Sequence, residues 1–571
     1  MTARFVVAAA AASLLASTAA ADTIYADAGL ASGAGDGTSW TNAFQGASAV
    51  QDALAVAVAG DDIYVAGGTY VTAAVGMRAL SFRLANNVRI FGGFAGGESS
   101  PDARPAFGVA ESILSADLAG DDASGGSRAE NAFHVIRTNG TNSTAVIDGF
   151  TVSGGNSNGS GSNADRGGGI LCVSGVSPTI RDCKFIDNSC TFGGGAGYVN
   201  GSAPRFEGCS FIDNVGGAFG GAFDIAGGGP IVFDGCYFEG NRASRAGALE
   251  IFSTSNATVM NSVFVGNTAT GSSGGGAFWV GSGGSTRIVN CTIVGNSSTN
   301  QNQGGIRAQG ATVNASNCIL WDNEGPGGAQ SAANQVNGAA NVNYSIVEGG
   351  FTGGTGNLAT DPSFVNLGGG DFRLALPSPA VDAGNGNALL AGFPADFDGA
   401  RRTFDEAGTA NTGAGAPVDM GAFELTTNIG AVFCDPVTIN STGGTGRIDA
   451  VGSTSLAAND VTLVASQLPM NAFGFFLASR QRGFTANPAG SAGNLCLSGA
   501  IGRYVGPGQI QDTGATNSFS LTIDVTAIPQ PTGSVPAMIG NSWSFQAWHR
   551  DSIIGIPTSN FTDGVRITFG A

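Results

Sequence analysis

The sequence predicts an all-β protein whose central part is a parallel β-helix, a solenoid built from stacked turns of chain called coils. Three observations predict this fold. One pattern is repeated six times between residues 167 and 323, each copy holds short runs of Val, Ile, Phe and Ala between turn-forming residues, and 94 of the 571 residues are glycine. A fixed period in this range is typical of solenoids, and short apolar runs separated by turns indicate strands rather than helices.

Each copy opens with small residues, as in Gly167-Gly168-Gly169-Ile170, and closes with an asparagine. A period of 26 to 29 residues accommodates three short strands and three turns, which is one coil of a parallel β-helix. Successive coils then lie about 4.8 Å apart, so equivalent residues stack in columns. The closing asparagines follow one another at intervals of 26 to 29 residues and are Asn188, Asn214, Asn241, Asn267, Asn296 and Asn323.

Two of these columns are expected to be architectural. Asparagine tolerates the left-handed conformation of a sharp corner, and stacked amides can hydrogen-bond along a column, so we expect the asparagines to hold the corners. The second column is expected to fill the core; it consists of Phe185, Phe211, Phe238 and Phe264, continued by Ile293 and Leu320.

Composition and charge narrow the classes of protein further. The high glycine content has no strict three-residue period, which argues against collagen, and 42% of the residues are hydrophobic, which is enough for a core. The formal net charge is −18 and the chain has one lysine, Lys184. Such a chain is not expected to bind nucleic acid or other polyanions.

Residues 1–21 are predicted to be a secretory signal. Arg4 precedes an apolar run from Phe5 to Leu15, and Ala19-Ala20-Ala21 is a small-residue cleavage site. No other stretch has the ~18 uninterrupted apolar residues that a membrane-spanning helix needs. We therefore expect a secreted protein, extracellular or on the outer cell surface, with no membrane-spanning segment in the mature chain.

The rest of the chain divides into four predicted parts. An alanine-rich helix over residues 43–58 is expected to cover the open end of the solenoid, which would hide unpaired strand edges. Alternating strands replace the glycine triplets after residue 428 and predict a separate sandwich. The parts are residues 22–166 (N-terminal cap and first coils), 167–350 (regular coils), 351–427 (terminal coils and a C-terminal cap) and 428–571 (a smaller C-terminal β-sandwich).

Nine cysteines occur in a chain for which disulfides are permitted. Cys434 and Cys496 are the two in the last domain, and we predict that they pair. Seven cysteines remain, so at least one thiol must be free. Five of them share one position of the coil, where the alternatives are a buried ladder of small side chains and disulfides between neighbouring coils; these are Cys183, Cys209, Cys236, Cys291 and Cys318.

Several segments resemble known families. The small-residue openings and the closings such as Phe211-Ile212-Asp213-Asn214 resemble the repeats of polymorphic outer membrane proteins, which are secreted and adhesin-like. Residues 24–70, with Trp40, resemble the start of right-handed parallel β-helix proteins of the pectin-lyase-like superfamily, which implies the same handedness here. Residues 378–424 resemble a choice-of-anchor Q domain, and the last domain looks like a module found on diverse bacterial secreted proteins. Residues 428–571 are too short for the membrane barrel that polymorphic outer membrane proteins carry.

A column of side chains on one strand of each coil is the candidate functional surface. If Phe223 and Ile225 point into the core, Asp224 points outward, because side chains alternate along a strand. Aromatic residues beside two carboxylates could bind or cleave a sugar chain, and retaining glycosidases hold their carboxyl groups about 5–5.5 Å apart. The alternative is an ordinary solvated face. The predicted column is Cys172, Tyr198, Asp224, Glu250 and Trp279.

The superfamily resemblance also implies what an enzyme of this fold needs. Lyases of the superfamily use a basic residue to take a proton, and polygalacturonase-like hydrolases use clustered aspartates with a histidine between glycines. The lone Lys184 directly follows a ladder cysteine, and the two histidines, His134 and His549, have no glycine neighbours. We expect His134 to be a buried strand residue. These absences argue against an enzyme.

Two aspartate groups are candidate calcium sites, because calcium prefers carboxylate oxygens. One is Asp396 with Asp398, and the other is Asp117 with Asp121 and Asp122. The alternative for both is turn formation, in which aspartate caps and closes loops. No other cofactor is predicted.

The sequence therefore predicts a monomeric adhesin-like or glycan-binding structural protein whose partner is a polysaccharide or another component of the cell envelope. The competing hypothesis is a carbohydrate-active enzyme, either a polysaccharide lyase or a glycoside hydrolase, on the same scaffold. A third hypothesis is a spacer or surface-layer protein with no soluble ligand. A solenoid does not reveal its partner, because function lies in surface side chains rather than in the fold.

Overall fold

The structure is a computed structural model, and it describes residues 22–571 except 139, 162, 273, 301–302, 327–330, 407 and 435. The predicted signal, residues 1–21, lies outside the described residues. The predicted parallel β-helix is confirmed, since 19 strands form one network along two faces of the solenoid and 10 more form a third face. Every strand pair within these three faces is parallel.

The first face carries the strand that follows each small-residue opening. Because the strands pair in register from coil to coil, residues at equivalent positions stack. Its strands are Phe82–Arg83, Ile136–Thr138, Ile170–Val173, Gly197–Asn200, Phe223–Ala226, Leu249–Phe252, Phe278–Gly281 and the first parts of Ile306–Ser316 and Val336–Asn343.

The second face begins at the N-terminus and runs to the last coil. Its strands are Thr23–Asp27, with Phe44–Gln45 beside it, Asp62–Ala66, Arg89–Phe94, Val146–Asp148, Thr179–Arg181, Arg205–Glu207, Ile231–Asp234, Asn256–Met260, Ser285–Val289 and the second parts of Ile306–Ser316 and Val336–Asn343.

The third face precedes each closing asparagine. Its strands are Gly68–Val71, Ser112–Ser115, Phe150–Ser153, Lys184–Ile186, Ser210–Ile212, Tyr237–Glu239, Val263–Val265, Thr292–Val294, Ile319–Trp321 and Ile346–Val347. Short strands follow the corner after the third face at Asn156–Ser157, Ser189–Cys190, Arg242–Ala243, Thr268–Ala269 and Ser297–Ser298.

The asparagine column is a buried hydrogen-bonded ladder. Asn241 Oδ1 accepts from Asn214 N at 3.1 Å and from Asn214 Nδ2 at 3.0 Å, while Asn241 Nδ2 donates to Asn267 Oδ1 at 2.9 Å. All six asparagines have 0% exposed surface. The left-handed corner lies one residue earlier than expected, as at Asp213 (φ 52°) and Gly240 (φ 64°), so the asparagines stabilise the corners from inside through their amides.

The phenylalanine and cysteine columns line the interior. Phe211 stacks between Phe185 and Phe238, with ring centroids 5.3 and 4.8 Å away, and all three rings are fully buried. The five ladder cysteines are free thiols that donate to backbone carbonyls, as Cys209 Sγ does to Ile180 O at 3.5 Å. Burial raises the pKa of the Cys183, Cys209 and Cys291 thiols well above the usual value and that of Cys318 to about 12, so these four thiols remain protonated in the core.

Two helices accompany the strands in the described part of the chain. The predicted N-terminal helix forms as α1 (Ala49–Val56), and Ala49, Val50 and Ala53 on its inner side join the solenoid core. The second, α2 (Ala332–Gln335), inserts Gln335, whose side chain accepts from Asn323 Nδ2 at 2.6 Å. The amide ladder therefore continues into a glutamine at the end of the regular coils.

Residues 359–425, the flanking segment, lie beside the last coils. Residues 355–358 first run alongside residues 344–347 and form backbone hydrogen bonds with them. The flanking segment then packs Ala422 and Phe423 against Val263 and Val294 on the outside of the third face, and Ala422 N donates to Thr292 Oγ1 at 2.9 Å. It contains one hairpin, Phe364–Asn366 with Asp371–Leu374.

The described part of residues 428–571 contains four antiparallel sheets, and the two largest share one apolar core. Ile448 and Leu463 of a three-stranded sheet lie in the same buried cluster as Phe476, Trp543 and Phe545 of a six-stranded sheet. Cys434 and Cys496 form a disulfide with a Cα–Cα distance of 5.6 Å. The strands are Ala431–Phe433, Arg447–Val451, Thr462–Ser466, Phe473–Ser479, Gln481–Ala486, Asn494–Ser498, Gly502–Arg503, Gln511–Asp512, Phe519–Thr522, Ile528–Gln530, Gly533–Val535, Ser542–Ile553 and Ile556–Thr568.

Candidate functional site

The candidate column forms on the outer side of the first face. Tyr198 pairs with Asp224, Asp224 with Glu250, Glu250 with Trp279, and the column continues to Arg307. Cys172 was wrongly placed in this column: it pairs with Val199 and is a core residue, and Leu171 precedes Tyr198 instead. The error came from counting one residue too far in the coil that opens with Gly167.

The prediction that this column is an exposed surface is wrong. Asp224 and Glu250 have 0% exposed surface, Tyr198 has 3% and Trp279 has 7%. The side chains do not belong to the solenoid core, which contains Phe223 and Ile225 of the same strand. They are hidden because the residues that immediately precede the small-residue openings fold over them.

Two arginines cover the carboxylates. Arg166 NH1 lies 3.6 Å from Asp224 Oδ2, and Arg245 Nε donates to Glu250 Oε1 at 2.8 Å. The arginine side chains keep 22% and 26% of their surface exposed, whereas the acids keep none. Solvent therefore meets guanidinium groups above this column rather than carboxylates.

The same guanidinium groups stack on aromatic rings. The Arg166 guanidinium lies 4.0 Å from the Phe192 ring centroid and 4.9 Å from that of Tyr198. The Arg245 guanidinium lies 4.2 Å from Phe219 and 4.0 Å from Trp279. These cation–π distances indicate favourable contacts. We call this surface the arginine–aromatic strip: Arg166, Phe192, Tyr198, Phe219, Arg245 and Trp279.

Four of these six residues were missed or unused in the sequence prediction, although the repeat contains a signal for the whole set. Arg166, Phe192, Phe219 and Arg245 each stand directly before a small-residue opening, so they form a second column at one position of the coil. The residues of the openings have side chains too small to separate this column from the candidate column. A Cβ added at Gly193 would lie 2.1 Å from Asp224 Oδ2, which shows how closely the backbone approaches the acid.

Burial shifts both carboxyl groups toward their neutral forms. Burial, with the nearby Glu250, raises the pKa of Asp224 to about 8, against the opposing effects of Arg166 and Arg245. Burial also raises the pKa of Glu250 to about 7, opposed by Arg245. Both oxygens of Asp224 and Oε2 of Glu250 have no hydrogen-bond partner, which agrees with a site where a charge is poorly solvated.

These shifts predict that stability falls as the pH rises. A carboxyl group whose pKa is higher in the folded state contributes stability below its unfolded pKa, near 4, and loses that contribution as the pH rises through about 7 to 8. We expect Asp224→Asn to reduce the decrease in Tm between about pH 5 and pH 9, because it removes one of the buried carboxyl groups whose pKa is raised. Differential scanning calorimetry at several pH values measures this.

Asp213→Asn is the control, because Asp213 is an exposed aspartate at a corner of the same solenoid, and this variant should keep the wild-type pH profile. An Asp224→Asn profile that coincides with the wild-type curve would show that Asp224 is already ionised in the folded protein.

The other candidate residues lie apart from the strip. Asp396 Oδ1 accepts from Ala400 N at 2.7 Å and Oδ2 from Glu424 N at 2.7 Å, while Asp398 pairs with Arg373 at 2.7 Å. His134 is buried, its Nδ1 is 2.9 Å from Gly167 O, and burial lowers its pKa to about 4. In the described part of the chain, one cluster of three or more potential metal-binding side chains has a carboxylate oxygen from each residue within 4.8 Å of the others. It consists of Asp117, Asp121, Asp122 and Glu130.

The fold and site define the chain as an all-β parallel β-solenoid with a covered polar column on one face. A family described as "Right handed beta helix region" matches residues 130–293, which identifies this part as a right-handed β-helix. Among solved structures, the crystal structure of pectate lyase Pel9A superposes with a TM-score of 0.41 and 14% sequence identity over 72% of this chain and 97% of that chain. No curated protein sequence matches the chain significantly. Within the described residues, no helix has the length and apolar character to cross a bilayer.

Proposed function

We propose that this chain is an exported β-helix protein that acts by binding, as an adhesin-like or glycan-binding structural protein at the cell surface or outside the cell. The observation that carries the proposal is the arginine–aromatic strip. Four aromatic rings and two guanidinium groups lie together along consecutive coils, and each guanidinium lies within 5 Å of two rings.

The chemistry of the strip suits a sugar chain. Aromatic rings offer apolar faces to the C–H groups of a pyranose, and the outer N–H groups of arginine donate to hydroxyl oxygens. The partly exposed residues at the top are Arg166, Phe192, Phe219 and Arg245. Because the chain has a net charge of −18, we expect a neutral or weakly charged polysaccharide to bind better than a polyanion.

A carbohydrate-active enzyme is the second candidate, and one observation favours it. Asp224 and Glu250 are paired on neighbouring strands, about 4.8 Å apart along the stack, and burial raises the pKa of both carboxyl groups. Retaining glycosidases combine a similar separation with a raised pKa on the general acid. The arginines that cover both acids would have to move before a substrate could reach them.

Binding to a panel of soluble polysaccharides tests the proposal and separates the two candidates. We expect at least one glycan to bind without release of reducing ends or unsaturated sugars. Phe192→Ala and Phe219→Ala should each weaken binding up to about tenfold, because both rings are partly exposed and an aromatic contact contributes about 0.5–1.5 kcal/mol. Isothermal titration calorimetry measures affinity, and a reducing-sugar assay measures turnover.

Phe484→Ala is the matched control, since Phe484 is an exposed ring in the C-terminal domain and lies outside the strip. If the wild-type protein turns over a glycan and this turnover is lost in Asp224→Asn or Glu250→Gln, the binding proposal is wrong and the enzyme hypothesis takes its place. If no glycan in the panel binds, the sugar hypothesis is wrong and the spacer hypothesis takes its place.

Export and attachment complete the proposal. We infer that residues 1–21 direct secretion, that α1 covers the N-terminal end of the solenoid, and that the C-terminal sandwich is a module of the kind found on diverse bacterial secreted proteins. The resemblance of the repeats to polymorphic outer membrane proteins, and of residues 378–424 to a choice-of-anchor Q domain, supports a cell-surface location. Fractionation of the native host, with detection of the chain in the outer envelope or medium, tests this location.

A further inference from the structure

The acidic group on the N-terminal coils lies where a loop leaves the third face. After the strand Ser112–Ser115, the loop carries Asp117, Asp121 and Asp122, and it returns past Glu130 to the next coil. Carboxylate oxygens of all four residues lie within 4.8 Å of one another. Asp117 Oδ1 also accepts from Gly120 N at 2.7 Å, and Oδ2 from Asp122 N at 3.1 Å, so the loop is wound around this carboxylate.

A buried side chain beside this group lacks a partner for its oxygen. Asn131 has 0% exposed surface, and its Nδ2 donates to Asp122 Oδ2 and to Gly154 O, both at 2.7 Å. Its Oδ1 is buried and accepts no hydrogen bond. An unpaired buried carbonyl oxygen is destabilising, and a bound cation would give it a partner. Asp121 Oδ1, Asp122 Oδ1 and Glu130 Oε1 are likewise buried without a hydrogen-bond partner.

The local charge also calls for a cation. Of the four carboxylates, one forms an ion pair, in which Arg128 Nε lies 3.5 Å from Asp122 Oδ2. The other end of Arg128 donates to Asp187 O at 2.6 Å, and Arg78, which is near Glu130, donates to Asn131 O and Asn158 Oδ1 at 2.6 Å each. Two guanidinium groups that are shared with other acceptors do not balance four neighbouring acids, and like charges at such distances repel strongly.

We propose that Asp117, Asp121, Asp122, Glu130 and the side-chain oxygen of Asn131 form a calcium site. All the donors are oxygen atoms, which favours a hard cation over zinc or copper. Calcium accepts six to eight oxygens in irregular geometry, whereas magnesium needs near-ideal octahedral geometry and keeps several waters, so an irregular protein group of five donors suits calcium.

The bound ion would join two separate parts of the chain. It links the loop of residues 117–122 to residues 130–131, and Asn131 Nδ2 already ties this region to Gly154 in the following coil. Calcium would therefore lock the first irregular coils onto the regular solenoid. This role is independent of the arginine–aromatic strip, none of whose residues belongs to the acidic group.

Calcium titration of the full mature chain, after treatment with EDTA, tests the proposal. We expect isothermal titration calorimetry to show one calcium site, with little heat from magnesium at the same concentration. Calcium should raise the Tm of the EDTA-treated protein by several degrees, because a ligand that binds only the folded state stabilises it. Asp121→Asn with Glu130→Gln should abolish both effects.

Asp396→Asn with Asp398→Asn is the matched control, since these carboxylates are engaged by backbone amides and Arg373; calcium binding should be unchanged in this variant. Circular dichroism establishes that each variant is folded. Hydrogen exchange of the wild-type protein gives a second measurement that needs no variant: calcium should slow exchange within residues 117–131. The proposal is overturned if calcium gives no heat and no protection, or if the control variant loses binding while the Asp121/Glu130 variant keeps it.

Discussion

Replacing Asn241, which lies in the middle of the amide ladder, by alanine is expected to destabilise the β-helix strongly. The substitution removes both hydrogen bonds that Asn214 makes to Asn241 Oδ1, and it leaves Phe211 O without the Asn241 Nδ2 donor at 2.8 Å. Two to three buried polar groups without partners, at roughly 1–3 kcal/mol each, predict a loss of about 3–5 kcal/mol in the free energy of unfolding. Urea unfolding followed by far-UV circular dichroism measures the loss.

Asn256→Ala is the control for this substitution. Asn256 is an exposed residue on the second face of a neighbouring coil, so its replacement is expected to change stability by no more than about 0.5 kcal/mol. Equal unfolding midpoints for the two variants would mean that the amide ladder contributes no stability and that apolar stacking alone stabilises the corners.

The second large effect is expected at Arg402, which connects the flanking segment to the coils. Its side chain is 1% exposed; NH1 pairs with Glu424 Oε2 at 3.2 Å, Nε donates to Asn261 Oδ1 at 3.1 Å, and NH2 donates to Gly421 O at 2.7 Å. Burial, with the nearby Asp419, raises the pKa of Glu424 well above its usual value even with the arginine present. Arg402→Met would leave this acid buried without its cation and should cost about 3–5 kcal/mol.

A second substitution distinguishes loss of the ion pair from loss of packing. Arg402→Met combined with Glu424→Gln removes both charges, and we expect it to recover a large part of the stability. Arg373→Met is the exposed control, because a half-exposed arginine paired with Asp371 and Asp398 contributes at most about 1 kcal/mol. If the double variant is no more stable than Arg402→Met, the hydrogen bonds to Asn261 and Gly421 are the main contribution of Arg402.

The two expected effects concern architecture, and they leave the arginine–aromatic strip free to differ from coil to coil. Asparagine, phenylalanine and cysteine recur because each must match the same residue in the next coil. Arg166, Phe192, Phe219 and Arg245 occupy one equivalent position with two residue types, so stacking alone does not require them. Each guanidinium of this column contacts two aromatic rings, and these contacts are the feature that variants in a binding assay can test.

The sequence by itself determined the parallel β-helix, the spacing of its coils, the inward columns and the pairing of Tyr198, Asp224, Glu250 and Trp279 on successive strands. These features follow from a pattern repeated six times, because parallel in-register stacking places residues that are one period apart in sequence next to each other on neighbouring strands. The helix over residues 49–56 and most strands of the last domain were also within reach of local patterns.

Only the tertiary structure decided what covers that column and where the segments after the coils lie. Alternation along a strand tells which side a residue faces, but it does not tell whether side chains from the preceding turn fold over it. Here the glycine-rich openings let the backbone approach Asp224 so closely that Arg166 and Arg245 cover the acids, and burial then raises the pKa of both carboxyl groups. The contact between Arg402 and Asn261 joins residues 141 positions apart, and no repeat relates them.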